Sequence, residues 1–306
     1  MIKIASTKDM DRDEWLKLRK QGIGGSDASV ILGMNPWKSP MDLWLDKTGE
    51  FDEDNDNEAM YFGRALEDFV AKEFTLRTGL KVRRKNSMLR HADHPWMLAN
   101  VDRMVVGEDS GLEAKTASIY SLDVWKEGVP EHYYPQVQHY MAVTGLKFWY
   151  VAALVGGQHF FIHKIFRNED FITELIEKEE AFWKLVTEGT PPPMDGSEAC
   201  SKLLNSLYPE GEKDKEVQLP LDAALLIRQY EEGKEEEDLA KTKKDEAANK
   251  LKEMLGDSER GFVHDRKVSW TNVSTKRFDS KRFEKEHPDL HGQYLNESLS
   301  RRFSIK

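Results

Sequence analysis

The chain predicts an α/β fold, and three features of its patterning predict it. Glu58–Thr78 carries Phe62, Leu66, Phe69, Val70 and Phe74 at helical spacing and is closed by Gly79. After Gly79 the period shortens to that of strands, with the turns GEDSG (Gly107–Gly111) and Gly156-Gly157 between apolar runs. Helical spacing then returns at Tyr133–Thr144 and Asp170–Thr187, so helices and strands alternate within one stretch.

Taken in order, Asp11–Arg19 reads as an amphipathic helix marked by Trp15 and Leu18. The loop GIGGSDASVILGMNPWKSP follows, from Gly22 to Pro40. Ser26 or Asp27 suits a helix N-cap there, and the glycines let the chain turn. Free N–H groups at a helix start beside a cation also make a seat for phosphate, and the loop by itself leaves both readings open. Pro40–Gly49 gives the next helix, and FDEDNDNE (51–58) an acidic linker to Glu58–Thr78. Three strands are expected at Lys81–Arg90, Met97–Val106 and Leu112–Ala117, the last two forming a hairpin across GEDSG. A second hairpin joins Phe148–Val155 to His159–Phe166. TPPPMDG closes this part, at about residue 195. A segment at 196–258 then contains Leu221–Leu255, rich in Glu, Lys and Ala, a long exposed helix or a helical hairpin. The last part, 259–306, mixes β-like residues (Phe262–Trp270) with Lys276, Arg277, Lys281, Arg282, Arg301, Arg302 and Lys306.

Composition narrows the function. The 306 residues are 39% hydrophobic and 33% charged, which suits a soluble globular chain with a real core. Charges interrupt the first residues throughout, unlike a signal peptide, and the longest apolar runs fall well short of the roughly 20 residues of a membrane span. One cysteine, Cys200, builds neither an internal disulfide nor a cysteine metal cluster, so a reducing cytoplasm is expected. The net charge of −10 argues against indiscriminate coating of DNA. It does not exclude a local nucleic-acid site, because binding follows the local field and KVRRKNSMLR (Lys81–Arg90) is basic.

The hairpin around GEDSG carries the chemistry. Residues two apart on a strand share a face, so Glu113 and Lys115 point together while Leu112 and Ala114 point into packing. Asp102, on the partner strand, comes close to Glu113. On spacing alone the trio is equally an exposed ion-pair patch and a catalytic centre. Asp102 favours the second, because it lies among Met97, Leu98, Val101, Met104 and Val105, where an ionised group is costly unless paired or metal-bound. Carboxylate oxygens suit Mg²⁺ or Mn²⁺, and a lysine beside them can orient water and stabilise growing negative charge, as phosphodiester hydrolysis requires.

These residues resemble the core of PD-(D/E)XK nucleases, with Asn-Val preceding Asp102 where the family's name has a proline. Gly63-Arg64-Ala65-Leu66-Glu67 resembles the family's GxxxE helix, and Gln136…Tyr140 its QxxxY element. IGGSDASVILGMNPWKSP resembles the N-terminal signature of YqaJ-like viral recombinases, relatives of phage lambda exonuclease. The likeness runs from about Trp15 to Pro193. It implies a mixed central sheet flanked by helices, with Asp102, Glu113 and Glu67 binding Mg²⁺ (or Mn²⁺) and Lys115 and Gln136 serving catalysis. Asp68 competes with Glu67 for its role, and Tyr140 is either functional or a packed aromatic. His132 and His139 are not needed as ligands. Arg19 and Ser26 match the pair that holds the 5′-phosphate of the degraded strand. The implied activity is 5′-to-3′ exonucleolysis of double-stranded DNA ends, leaving 3′ strands for a single-strand annealing protein in phage or prophage recombination. A ring-like homo-oligomer, commonly a trimer, is implied as well. A structure-selective or endonucleolytic relative, and a DNA-end-binding scaffold without turnover, are the alternatives; iron–sulfur relatives are excluded by the single cysteine.

Overall fold

The computed structural model describes residues 1–49, 57–296 and 299–305; the acidic stretch at 51–56 and Lys306 lie outside it. The chain forms two compact units, Met1–Leu207 and Tyr208–Lys306. In the first, β1 (Ile2–Ser6), α1 (Arg12–Arg19), β2 (Ile23–Gly24), α2 (Gly25–Ile31), α3 (Pro40–Thr48) and α4 (Glu58–Thr78) lead into β3 (Val82–Arg84), β4 (Ser87–Arg90), β5 (Met97–Asn100), β6 (Arg103–Val105) and β7 (Ser110–Ala117). There follow α5 (Leu122–Glu127), α6 (Tyr134–Thr144), β8 (Phe148–Val155), β9 (His159–Phe166), α7 (Glu169–Glu188) and α8 (Glu198–Leu207).

Local chemistry sets the helix ends. Asn57 accepts the Met60 N–H at the start of α4, and Gly79 closes that helix in the left-handed conformation (φ 76°). At α3, Ser39 and Asp42 exchange backbone bonds in a capping box ahead of Pro40.

Two of the expected strands are each broken in two. Asn86 turns left-handed (φ 42°), which asparagine tolerates better than most residues, and Lys81–Arg90 becomes β3 and β4 in different sheets. Met97–Val106 likewise splits at Val101-Asp102, with β5 in one sheet and β6 in the other. One sheet has the order β3-β6-β7-β8-β9; the other has β1-β4-β5-β2. The β7–β8 pairing is parallel and runs in register from Ser110 opposite Phe148 to Ala117 opposite Val155. This mixed sheet with helices on both faces is the expected α/β architecture.

The alternation of β7 sorts its side chains as expected. Leu112 packs with Val70, Ala71 and Phe74 of α4 on one face. Opposite, α6 lays Val137, Tyr140 and Met141 on Trp149, Val151 and Ala153 of β8. Glu113 and Lys115 point to this α6 side, where Gln136 meets both. A third cluster joins α2 and α3 to Phe182 of α7 and Leu203 of α8.

The second unit contains one continuous helix, α9 (Ala223–Leu255), rather than a helical hairpin. A two-stranded hairpin, β10 (Arg260–Val263) with β11 (Arg266–Ser269), and two short helices, α10 (Ser280–Glu286) and α11 (Pro288–Gln293), follow it. No helix among the described residues is long and apolar enough to cross a membrane.

Candidate active site

The break between β5 and β6 is what places Asp102. The β6–β7 ladder ends at Arg103 opposite Leu112, and beyond it the Asp102 side chain takes over, Oδ2 accepting the Ala114 N–H at 2.9 Å. Asp102 therefore bridges to β7 from a bend, not from the continuous strand that the sequence suggests.

Glu113 is buried, and its Oε1 accepts from Lys115 Nζ at 2.7 Å and from Gln136 Nε2 at 2.6 Å. Lys115 also donates to Gln136 Oε1 at 2.9 Å, closing a three-membered ring of contacts between β7 and α6. The Lys115 ammonium lies 4.5 Å from the centre of the Tyr133 ring. Burial works against its charge most strongly, but Glu113, Tyr133 and Asp102 together outweigh it and hold the lysine pKa above its ordinary value.

Negative charge is in excess here. Glu113 Oε2 is buried without a hydrogen-bond partner among the described residues. Burial, then the charges of Glu113 and Glu67, push the Asp102 pKa well above 3.8, so an ionised Asp102 is costly in this cluster. A crowd of carboxylates with one unsatisfied oxygen is the donor chemistry of a hard divalent cation. Glu67 is the third carboxylate, but Arg103 holds it. That guanidinium, only 4% exposed, donates to Glu67, to Asp68 and to the Asp102 carbonyl at 2.7 Å. In this arrangement no group of three His, Cys, Asp or Glu side chains among the described residues is placed to hold a metal ion. Asp68, also paired with Arg84, is the more exposed of the two acids.

Arg19 and Ser26 meet as well. Arg19 donates to Ser26 Oγ and to Asp27 Oδ1, both at 2.8 Å. Neither Ser26 nor Asp27 is the N-cap of α2; Gly24 is, and Asp27 reaches back to accept its N–H at 2.9 Å. Asp27 is occupied further by Lys47, which is fully buried and donates to Asp27 Oδ2 at 2.7 Å and to the Arg19 carbonyl at 3.0 Å. Burial alone would raise the Asp27 pKa, but Lys47 and Arg19 overwhelm it and hold the carboxyl far below its usual range.

Tyr140 joins the two groups. Its hydroxyl accepts from Gln136 Nε2 at 2.9 Å, and its ring lies so close beneath Gly25 that a Cβ there would stand 2.4 Å from the ring. That contact requires the last glycine of GIGG, Gly25, to lack a side chain. His139 has both ring nitrogens engaged, 2.7 Å from Glu179 Oε1 and 2.8 Å from the Leu98 carbonyl, and is a core residue.

Sequence reasoning missed Arg103, Lys47 and Tyr133. For Lys47 a signal exists: it lies four residues after Leu43 and three after Trp44, on the buried side of α3. Arg103, inside the apolar run MLANVDRMVV, carries the same cost of burial that singled out Asp102.

Residues 14–147 match the family described as the YqaJ-like viral recombinase domain. The YqaJ protein of Bacillus subtilis (strain 168) is 43% identical over 308 aligned residues, covering 99% of this chain and 97% of that protein. Protein R354 of Acanthamoeba polyphaga mimivirus is 26% identical over 145 residues, 43% of this chain and 26% of its own length. Among solved structures, the alkaline exonuclease LHK-Exo from Laribacter hongkongensis is similar in fold: TM-score 0.50, 20% identity, 64% of this chain and all of that one. LHK-Exo in complex with dAMP gives TM-score 0.51 and 21% identity over the same shares. With a near full-length relative of that identity and the matched domain lying over the site, the chain belongs to the YqaJ-like viral recombinase family.

Proposed function

We propose that the protein is a metal-dependent 5′-to-3′ exonuclease of double-stranded DNA, producing 3′ single strands for annealing-type recombination. One observation carries this reading: Asp102, Glu113 and Lys115 converge at a buried centre with surplus carboxylate, linked through Gln136 and Tyr140 to an Arg19–Ser26 pair. The alkaline exonuclease fold, seen with a bound nucleotide in LHK-Exo, supports it.

Arg19 and Ser26 would hold the 5′-phosphate through charge-assisted and hydroxyl contacts. Asp102 and Glu113 would hold Mg²⁺ or Mn²⁺, with Glu67 joining once Arg103 releases it. Such an ion, when bound, polarises the scissile phosphate and lowers the pKa of water. Lys115, aligned by Glu113 and Gln136, orients the attacking water and stabilises charge on the phosphoryl oxygens. Double-stranded DNA ends, a single-strand annealing protein and copies of the same chain in a ring, commonly of three, are the partners this reading implies, in the cytoplasm of a phage or prophage host. The nuclease part would be 1–195, with the charged helix (196–258) and the basic tail (259–306) contacting DNA, other subunits or the annealing protein.

The test is a time course on linear duplex with Mg²⁺, comparing 5′-phosphate and 5′-hydroxyl ends and including a closed circle. Faster loss from the phosphorylated end, an intact circle and abolition by Lys115→Ala support the proposal. Rapid cutting of the circle makes the protein an endonuclease. End binding without hydrolysis in Mg²⁺ or Mn²⁺ makes it a scaffold.

A further inference from the structure

Trp37 has no part in the three apolar clusters, and its side chain is open to solvent, 68% exposed. Its backbone is nevertheless fixed. Asn35 Oδ1 accepts both the Trp37 N–H (2.9 Å) and the Lys38 N–H (3.0 Å), and Asn35 Nδ2 donates to Ser29 Oγ of α2 at 3.2 Å. The indole stands edge-on to His132, ring centres 5.0 Å apart. His132 packs in turn on Tyr133 at 4.1 Å, and the Lys115 ammonium lies beyond, 4.5 Å from the Tyr133 ring. His132 Nε2 is buried with no hydrogen-bond partner among the described residues, and burial followed by the Lys115 charge lowers its pKa below the ordinary 6.5. Trp37 is thus tied on one side to the helix that carries Ser26 and on the other, through two rings, to the catalytic lysine.

Exposing an indole costs hydrophobic stabilisation, and holding it rigid adds nothing to the core. Rigid, exposed aromatic rings beside phosphate-binding groups are what nucleobases stack on. We propose that Trp37 is the stacking platform for the 5′-terminal nucleobase of the strand being degraded. This rests on the exonuclease reading, in which one nucleotide has its 5′-phosphate at Arg19 and Ser26 and its 3′-phosphate before Lys115. Its base is the part those groups leave uncontacted. Stacking there would add affinity for the end without choosing among bases, because every base has a π-face.

The experiment uses a 5′-phosphorylated duplex whose terminal nucleotide is either normal or abasic (a tetrahydrofuran residue). Two quantities are read: KM for the first hydrolytic event with Mg²⁺, and equilibrium binding by anisotropy without divalent metal. For the wild type, removing the base weakens both by about 5- to 100-fold. Trp37→Ala should suffer a similar loss on the normal end and no further loss on the abasic one, while Trp37→Phe recovers most of the preference. Trp37→Ala that binds normal ends like the wild type, or still discriminates against the abasic end, overturns the proposal. Should the wild type hydrolyse neither end, the exonuclease reading fails separately, and the metal-free binding comparison still decides on the platform. Binding to neither end overturns both.

Discussion

Two charged clusters stand on either side of Tyr140, and they are built on opposite principles. Around Asp27, one buried carboxylate faces two cations and a backbone N–H, and both its oxygens are used. Around Asp102 and Glu113, carboxylates crowd together, one oxygen has no partner among the described residues, and the nearest lysine is already shared. The first cluster is complete as folded, and its stability is local to the protein. The second has more carboxylate than its cations Lys115 and Arg103 satisfy, an imbalance that a cation bound as proposed would relieve. On the proposed reading, the site that grips one phosphate is finished in advance, whereas the site that receives a metal and a water is not.

Breaking the complete cluster should have the largest effect. Asp27→Asn leaves Arg19 and the fully buried Lys47 facing each other without a counter-charge, and should lower unfolding free energy by about 3–5 kcal/mol in a urea titration. The difference from wild type should depend on pH. Because the folded-state pKa of Asp27 lies far below its ordinary 3.8, its contribution is fully present above pH 3.8 and is lost as pH falls further toward the folded value. The gap between wild type and variant should therefore be constant near neutrality and narrow below about pH 4. A gap that stays wide in acid would mean that shape, not charge, dominates at this position.

The next effect is on rate. Lys115→Ala removes the cation that Glu113 and Gln136 align, and on the exonuclease reading kcat should fall by roughly 10²–10³, about 2.7–4 kcal/mol. Binding of DNA ends should change far less, since Arg19 and Ser26 are untouched. A loss confined to KM would instead make Lys115 a binding residue.

How much of this was legible depends on the range of the interaction. Helix α4 was readable to the residue, because its apolar spacing and Gly79 are local signals. Asp102, Glu113 and Lys115 were readable as a group from strand alternation across one short hairpin. The passage of Met97–Val106 from one sheet to the other was not, because its apolar run is continuous and sheet membership is decided by distant strands. Gln136 and Tyr140 came only through the ordered resemblance to nucleases, since nothing in a helix marks which polar residue faces a strand. Arg103 reaches Glu67 across 36 residues, and Lys47 reaches the Arg19 carbonyl across 28, so their partners exist only in the folded chain.

The smallest effect has the opposite sign to the first and is therefore the sharpest test of the contrast. Asp102→Asn keeps an oxygen to accept the Ala114 N–H but removes one of the crowded charges. In EDTA at neutral pH the variant should be more stable than wild type by about 1 kcal/mol, seen as a melting temperature raised by roughly 2–4 °C. Under the proposed chemistry the same change abolishes hydrolysis. Added Mg²⁺ should then close or reverse the gap, because the ion stabilises wild type in proportion to its occupancy and the variant has lost a ligand. A variant less stable than wild type in EDTA would show that the Asp102 carboxylate is already balanced within the fold, as Asp27 is, and the distinction between a finished cluster and a waiting one would collapse.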